Sequence, residues 1–197
     1  MRLSYNRIVG GVWVGLLGGK SDDALIGKIA EALNLIQQYD PVRYRRLLRD
    51  VEQIWITPLI GAQGQFSFFF KRCSLDYRFA QSAAVETIAS TIVHEATHGH
   101  PWLRKMGYPE ALRPRIEKIC FQQQLIFLRK LPAAASAMGD VERNLSREPS
   151  FWSDKTYSER RPNDELEASR AYGVPDWIAK SLQAIRRMRR SFHRKQN

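Results

Sequence analysis

Cysteine and histidine are both scarce in this chain of 197 residues. The two cysteines, Cys73 and Cys120, are too few for a disulfide framework, and their spacing matches no zinc knuckle. We expect both to be reduced thiols in a cytoplasmic protein. Three of the four histidines nevertheless fall within seven residues, at His94, His98 and His100. This scarcity excludes a cysteine-stabilised domain and makes the histidine cluster the first candidate site.

A long apolar run is also missing from the N-terminal region. The run over residues 8–17 is far shorter than the roughly 18 residues that span a bilayer. Arg2 and Arg7 precede it as in a signal peptide, but no A-x-A-like cleavage site follows. We interpret residues 1–20 as a flexible, glycine-rich arm. A segment that touches a membrane, giving peripheral association, is the alternative.

Acidic residues are absent from the C-terminal end. Seven basic residues lie between Lys180 and Asn197, which leaves +4 of the formal charge of +11 for the rest of the chain. We interpret residues 181–197 as a basic helix end or tail, with weak contact to nucleic acid or anionic membrane as its expected interaction. With 44% hydrophobic residues, the chain can build one sizeable core, and we assign residues 21–180 to a single domain.

Hydrophobic periodicity predicts an α+β fold with extra helices at both ends. A β-rich segment over residues 54–79 separates helical patterns, whereas residues 132–164 show little periodicity. Capping residues and prolines bound the helical patterns. Helices are predicted over residues 21–40, 41–53, 82–99, 114–131 and 176–192.

His94, Glu95 and His98 form an H-E-x-x-H pattern on the helix predicted over residues 82–99. Residues four apart on a helix lie one above the other, so the two imidazoles can reach one ion. Glu95 is rotated by about 100° from His94 and can hold a water beside that ion. Zinc accepts such nitrogen ligands and keeps one position open in catalytic sites. We therefore predict a Zn²⁺ site with His94 and His98 as ligands and Glu95 as general base.

A third protein ligand has to come from a separate element. Glu117 lies nineteen residues after His98, near the start of the helix predicted over residues 114–131. If that helix folds back, Glu117 faces the histidines, and we favour it as the third ligand. The alternatives are that Glu117 only stabilises the helix N-terminus, or that Glu110 is the ligand.

The H-E-x-x-H pattern followed by a helix-borne glutamate resembles the gluzincin branch of the zincin-like metallopeptidases. The resemblance covers Ile54 to Leu131. It implies a small, mostly antiparallel β-sheet packed on an active-site helix and a glutamate helix. It also implies that His94, His98 and Glu117 bind zinc and that Glu95 is general base and acid.

The family also holds an extended substrate along the edge strand of its sheet, which the segment from Phe66 to Tyr77 would provide here. The chain departs from related patterns at several positions. Gluzincins often carry an acid four residues after the glutamate ligand, where this chain has Phe121. The metzincin extension would require a glycine and a histidine where Pro101 and Arg104 stand.

The third clustered histidine, His100, lies beyond the expected helix end, because Gly99 and Pro101 stop the helix. Its ring is a candidate for a substrate or transition-state contact, or is simply exposed or capping. SprT-like proteases, which are also basic, use a later histidine, and this chain has none between His100 and His193.

A transition-state oxyanion also needs a hydrogen-bond donor. Tyr157 and Tyr172 follow the glutamate helix, where the family's donor usually lies, and Tyr108 and His193 are further candidates. Nothing in the sequence separates any of them from a packing residue.

Together these features predict a zinc metallopeptidase that binds a peptide or protein substrate in a cleft beside the edge strand. One alternative is a zincin-like regulatory or binding module without peptidase activity. The other is a protein that associates with nucleic acid or membrane through its basic tail.

Overall fold

Five strands and eight α-helices make up the part of the chain that the computed structural model describes, which is residues 4–17, 22–181 and 184. The strands are β1 Ser4–Val9, β2 Val12–Leu17, β3 Gln53–Thr57, β4 Gly64–Ser67 and β5 Arg72–Asp76. The helices are α1 Asp23–Tyr39, α2 Pro41–Asp50, α3 Tyr77–Ser82, α4 Val85–His98, α5 Pro101–Met106, α6 Arg113–Leu128, α7 Ala135–Leu145 and α8 Asp154–Ala171. Short 3-10 helices cover Glu110–Leu112 and Pro149–Trp152.

The strands form one mixed sheet in the order β1-β2-β3-β5-β4. The outer pairs, β1 with β2 and β4 with β5, are antiparallel, whereas β2 with β3 and β3 with β5 are parallel. The α+β prediction is confirmed, but the prediction of a mostly antiparallel sheet is wrong. The helices α1 and α2 connect β2 to β3, and such a crossover joins parallel strands.

The N-terminal residues form a hairpin rather than the predicted flexible arm. Gly10 and Gly11 have φ values of 54° and 82°, which permit a tight turn between β1 and β2. Val12, Val14 and Leu16 are buried against the core. The glycines that suggested flexibility therefore serve a turn, and residues 4–17 add two strands to the sheet.

The predicted helices before and around the motif are confirmed. Asp22 caps α1 by accepting the Leu25 N–H, and Asp40 caps α2 in the same way. The buried face of α1 and the long helix α4 share one hydrophobic core with the sheet, and α6 packs against α4. This packing brings the glutamate helix beside the H-E-x-x-H helix.

The second half of the chain is more helical than predicted. The residues after His98, between the helices predicted over residues 82–99 and 114–131, contain α5, and the poorly periodic residues 132–164 contain α7 and the start of α8. Residues 176–181 begin the last predicted helix, while most of the basic tail and His193 lie outside the described residues. Among the described helices, none combines the length and apolar character needed to cross a membrane.

Candidate metal centre and its cleft

The helix α4 carries His94, Glu95 and His98 on its buried side near its C-terminal end. The helix ends at His98, and Gly99 follows with a right-handed φ of −66° instead of the left-handed geometry of a typical glycine cap. A Cβ on Gly99 would lie 2.8 Å from the Phe66 ring. Glycine is therefore needed here for close packing of the motif helix against β4.

Ligand atoms of three side chains, two on α4 and one on α6, converge on one point. The Nε2 atoms of His94 and His98 are 3.3 Å apart. The carboxylate oxygens of Glu117 lie 3.4 Å from Nε2 of His94 and 3.6 Å from Nε2 of His98. A tetrahedral ion with bonds of about 2.0–2.1 Å holds its ligands roughly 3.3–3.4 Å apart, so this set fits zinc.

Cys120 is a second candidate for the third ligand. Its Sγ and one ring nitrogen from each of His94 and His98 all lie within 4.8 Å of one another. Burial, followed by the charges of Glu117 and Glu95, raises the pKa of this thiol, which disfavours the thiolate that a metal requires. We favour Glu117, because its two oxygens approach both Nε2 atoms within 3.6 Å.

Glu110, the rival ligand in the sequence, lies elsewhere. Its Oε1 accepts the backbone N–H of Asp154 at 2.8 Å, which ties the 3-10 helix to the start of α8. The helix-borne Glu117 is therefore the acid that meets the histidine pair.

Gln124 on α6 supports His94 by a hydrogen bond, a role that Phe121 cannot take because its side chain has no polar group. The Ser90 hydroxyl donates to the Thr87 carbonyl at 2.9 Å, so it accepts from Nε2 of Gln124 at 3.0 Å. The amide oxygen of Gln124 then faces Nδ1 of His94 at 3.2 Å. This network holds a proton on Nδ1 of His94 and turns Nε2 toward the ligand cluster.

Sequence reasoning missed Gln124, although a signal exists. It lies seven residues after Glu117, close to two helical turns, so both residues share one face of α6. It was missed because the expected supporting residue was an acid, whereas Gln124 is an amide.

Tyr108 contacts the cluster from the loop between α5 and the first 3-10 helix. Its hydroxyl donates a short hydrogen bond to Oε1 of Glu117. Its ring lies edge-on to His98, with centroids 5.8 Å apart, and the Arg113 guanidinium lies 5.2 Å from its centroid. Among the oxyanion-donor candidates that the structure describes, Tyr108 is the one whose side chain contacts a proposed ligand.

Burial and neighbouring charges separate the pKa values of the two glutamates. Burial raises the pKa of Glu95 to about 7, and the opposing effect of His94 is weaker. Burial also acts to raise the pKa of Glu117, but its hydrogen bond to His94, both histidine charges and Tyr108 lower that pKa to about 2. Glu95 can therefore exchange a proton near neutral pH, whereas Glu117 stays ionised.

The pKa values of the two histidines are also shifted in opposite directions. Burial lowers the pKa of His98 to about 4, reinforced by the charge of His94. For His94, burial is outweighed by the hydrogen bond to Glu117 and the charges of Glu95 and Glu117, so its pKa is raised.

The ligand cluster opens onto a cavity of about 800 Å³. Its walls come from β4 and the preceding residues 60–63 on one side and from α6, α7 and α8 on the other. At Gly64, a Cβ would lie 2.7 Å from Oε1 of Glu95, so β4 runs directly against the carboxylate. The outer edge of β4 has no strand partner among the described residues.

The expected edge segment from Phe66 to Tyr77 is only partly at the edge. β4 forms the edge, β5 lies between β4 and β3, and Tyr77 begins α3. The edge strand is therefore shorter than expected and begins earlier, at Gly64.

The remaining candidate residues divide between the cavity and other places. Tyr157 lines the cavity and is 48% exposed. Tyr172 donates to Asp76 at 2.8 Å and is not among the cavity-lining residues. His100 is also outside that lining, with its backbone N–H bonded to the Thr97 carbonyl. The structure therefore brings Tyr157 to the cleft and leaves His100 and Tyr172 outside it.

Comparison of the chain with protein-family models, with curated proteins and with solved structures finds no match. The function proposed for the chain therefore depends on the geometry of this site.

Proposed function

We propose that the chain is a zinc-dependent metallopeptidase with a zincin-like fold of the gluzincin type. The observation that carries this proposal is the convergence of His94, His98 and Glu117, whose ligand atoms lie 3.3–3.6 Å apart on the wall of a cleft. Glu95 lies beside them with its pKa raised to about 7. This combination supports metal-assisted hydrolysis over a purely structural role for the helix.

When bound, a zinc ion supplies Lewis-acid polarisation of a carbonyl and lowers the pKa of a coordinated water. Glu95 accepts a proton from the attacking water and delivers it to the leaving amine. A carboxyl with a pKa of about 7 suits both steps, because it gains and loses a proton readily near neutral pH. Gln124 orients His94 during these steps.

The substrate in this proposal is an extended peptide. The unpaired edge of β4 offers backbone groups for strand addition, and it runs beside Glu95 at Gly64. The Tyr108 hydroxyl donates to Glu117 in this structure, and we assign it as the donor to the developing oxyanion, for which it would exchange the Glu117 acceptor for the substrate oxygen.

Replacement of Glu95 tests the proposal. We expect Glu95→Gln to retain metal but to lose hydrolysis of a casein or mixed-peptide substrate by at least about 10²-fold. Glu86→Gln, on the first turn of the same helix, is the matched control and should cleave like the wild type. Persistent cleavage by the Glu95 variant would refute the proposed mechanism, and absence of wild-type cleavage would favour a binding module.

A second candidate function is a closed, structural metal site. Cys120 favours this candidate, because its Sγ lies within 4.8 Å of a ring nitrogen of each histidine. If Cys120 bound the ion together with His94, His98 and Glu117, protein ligands would take all four positions and none would remain for a substrate. Cys120→Ser separates the two candidates. A structural site should lose metal affinity in this variant, whereas the catalytic site that we propose should bind metal and cleave peptide as before.

A further inference from the structure

The turn between β4 and β5 exposes two aromatic side chains. Phe69 and Phe70 are 89% and 50% exposed, and their rings pack edge to face on each other with centroids 4.9 Å apart. We call residues 68–71 the aromatic turn. Phe69 is the most exposed large hydrophobic side chain among those that the structure describes. Such exposure gives no packing gain within the fold and points to a partner.

Other apolar side chains lie at the same end of the sheet. β2, β3 and β5 are parallel with their first residues in register, so the segments before them share this end. The Tyr44 hydroxyl donates to the Gly10 carbonyl at 2.5 Å, which brings α2 to the hairpin turn. Ile8 and Leu48, 77% and 39% exposed, add apolar side chains at this end of the sheet. Leu48 lies beside Gly11, and Ile8 is on β1, at the opposite edge of the sheet from the aromatic turn.

Positive charge surrounds this apolar surface. Asp50 is buried and forms an ion pair with Arg49, and Glu52 forms an ion pair with Lys71 at 2.7 Å. Because both carboxylates are paired with cations, they repel an approaching anion only weakly. Arg45 and Arg46 of α2 are exposed, and neither forms an ion pair with a carboxylate of the described residues. Residues 45–52 and 69–72 together carry five cations, Arg45, Arg46, Arg49, Lys71 and Arg72, against those two carboxylates.

We propose that this end of the sheet docks on an anionic lipid bilayer, with Phe69 and Phe70 inserted at the headgroup level and Arg45 and Arg46 contacting the headgroups. Interfacial binding scales with buried apolar area and with attraction to anionic lipid, and both contributions are present here. Phe69 and Phe70 lie in a turn between two strands and are both exposed, which suits insertion at the headgroup level.

Docking would also orient the cleft. Phe68, the first residue of the aromatic turn, lines the cavity, and Phe66 packs against Gly99 at the end of the motif helix. The bilayer surface would therefore lie beside the mouth of the cleft. The proposal itself is independent of peptide hydrolysis, because it uses other residues.

Sedimentation of the full chain with vesicles tests the proposal. The vesicles contain phosphatidylcholine alone or with about one-third phosphatidylglycerol. We expect the wild type to bind the anionic vesicles and Phe69→Ser/Phe70→Ser to partition about tenfold less. Trp177→Ser, another exposed aromatic, should bind like the wild type. Trp177 lies five residues after Tyr172, whose hydroxyl donates to Asp76 at the end of β5 opposite the aromatic turn.

A second variant guards against misfolding. Arg45→Glu/Arg46→Glu changes exposed residues of α2 and should also weaken binding to anionic vesicles several-fold, with an unfolding midpoint close to that of the wild type. If the wild type fails to bind anionic vesicles, the proposal is wrong. It is also wrong if both double variants bind like the wild type, because the basic tail would then account for binding alone.

Discussion

At the scale of single residues, the site depends on side chains with different degrees of sequence signal. His94, Glu95 and His98 are predictable because their relation is local to one helix. The approach of Glu117 requires α6 to pack on α4, which the sequence suggested through the position of Glu117 on the next helix and through the resemblance. Gln124 shares a face of α6 with Glu117, but its role, like those of Tyr108 and Cys120, depends on contacts between separate elements.

Removal of the Gln124 amide should weaken metal binding. Without its acceptor, Nδ1 of His94 is no longer held, and loss of such support typically costs 10- to 100-fold in affinity. We expect Gln124→Leu to show this loss in a zinc competition titration with a chelating dye. Gln122→Leu, an exposed position on the same helix, is the control and should bind as the wild type does. Equal affinities for the two variants would remove Gln124 from the site.

The buried charge of Glu95 should destabilise the metal-free chain above neutral pH. Its folded pKa of about 7 exceeds the ordinary value of 4.5, so folding favours the protonated carboxyl. The penalty is absent below pH 4.5, grows as the pH rises and is complete above pH 7. Glu95→Gln should therefore stabilise the metal-free protein at pH 8, by on the order of 3 kcal/mol. Urea unfolding at several pH values measures this gain, and a pH-independent difference would contradict the assignment.

At the scale of elements, strongly periodic segments were predictable and weakly periodic ones were not. The first two helices and α4 carry regular apolar faces, and Asp22 and Asp40 cap the first two. α8 is highly polar and contains Pro162, so its pattern resembles a loop. The N-terminal hairpin was missed because its glycines look flexible until the rest of the sheet supplies a partner strand. Parallel pairing is a non-local property that strand patterns do not reveal.

The close passage of β4 over Glu95 gives a test at this scale. In Gly64→Ala, the added Cβ would meet the carboxylate at 2.7–3.0 Å and push β4 or Glu95 aside. We expect lower peptidase activity with metal content retained. Gly27→Ala in α1 meets nothing within 4 Å and should raise the free energy of unfolding by about 0.5–1 kcal/mol. Unchanged activity in the Gly64 variant would mean that the strand does not position Glu95.

At the scale of the whole molecule, the proposed metal site joins two halves of the fold. α4 belongs to the core shared with the sheet, and α6 leads into the helices that form the far wall of the cleft. An ion held by both helices should therefore stabilise the entire chain. At zinc concentrations near a thousandfold the dissociation constant, this linkage amounts to about 4 kcal/mol. Urea unfolding with zinc and with chelator should differ by that amount, and identical curves would show that the folded chain binds no zinc.

The central claim, that His94, His98 and Glu117 together bind one zinc ion, is tested most directly by the metal content of the purified protein. We expect one zinc per wild-type chain, little in His94→Ala or Glu117→Ala, and a full equivalent in Cys120→Ser. A wild-type chain without stoichiometric metal would contradict the claim, as would a Glu117→Ala variant that retains its zinc.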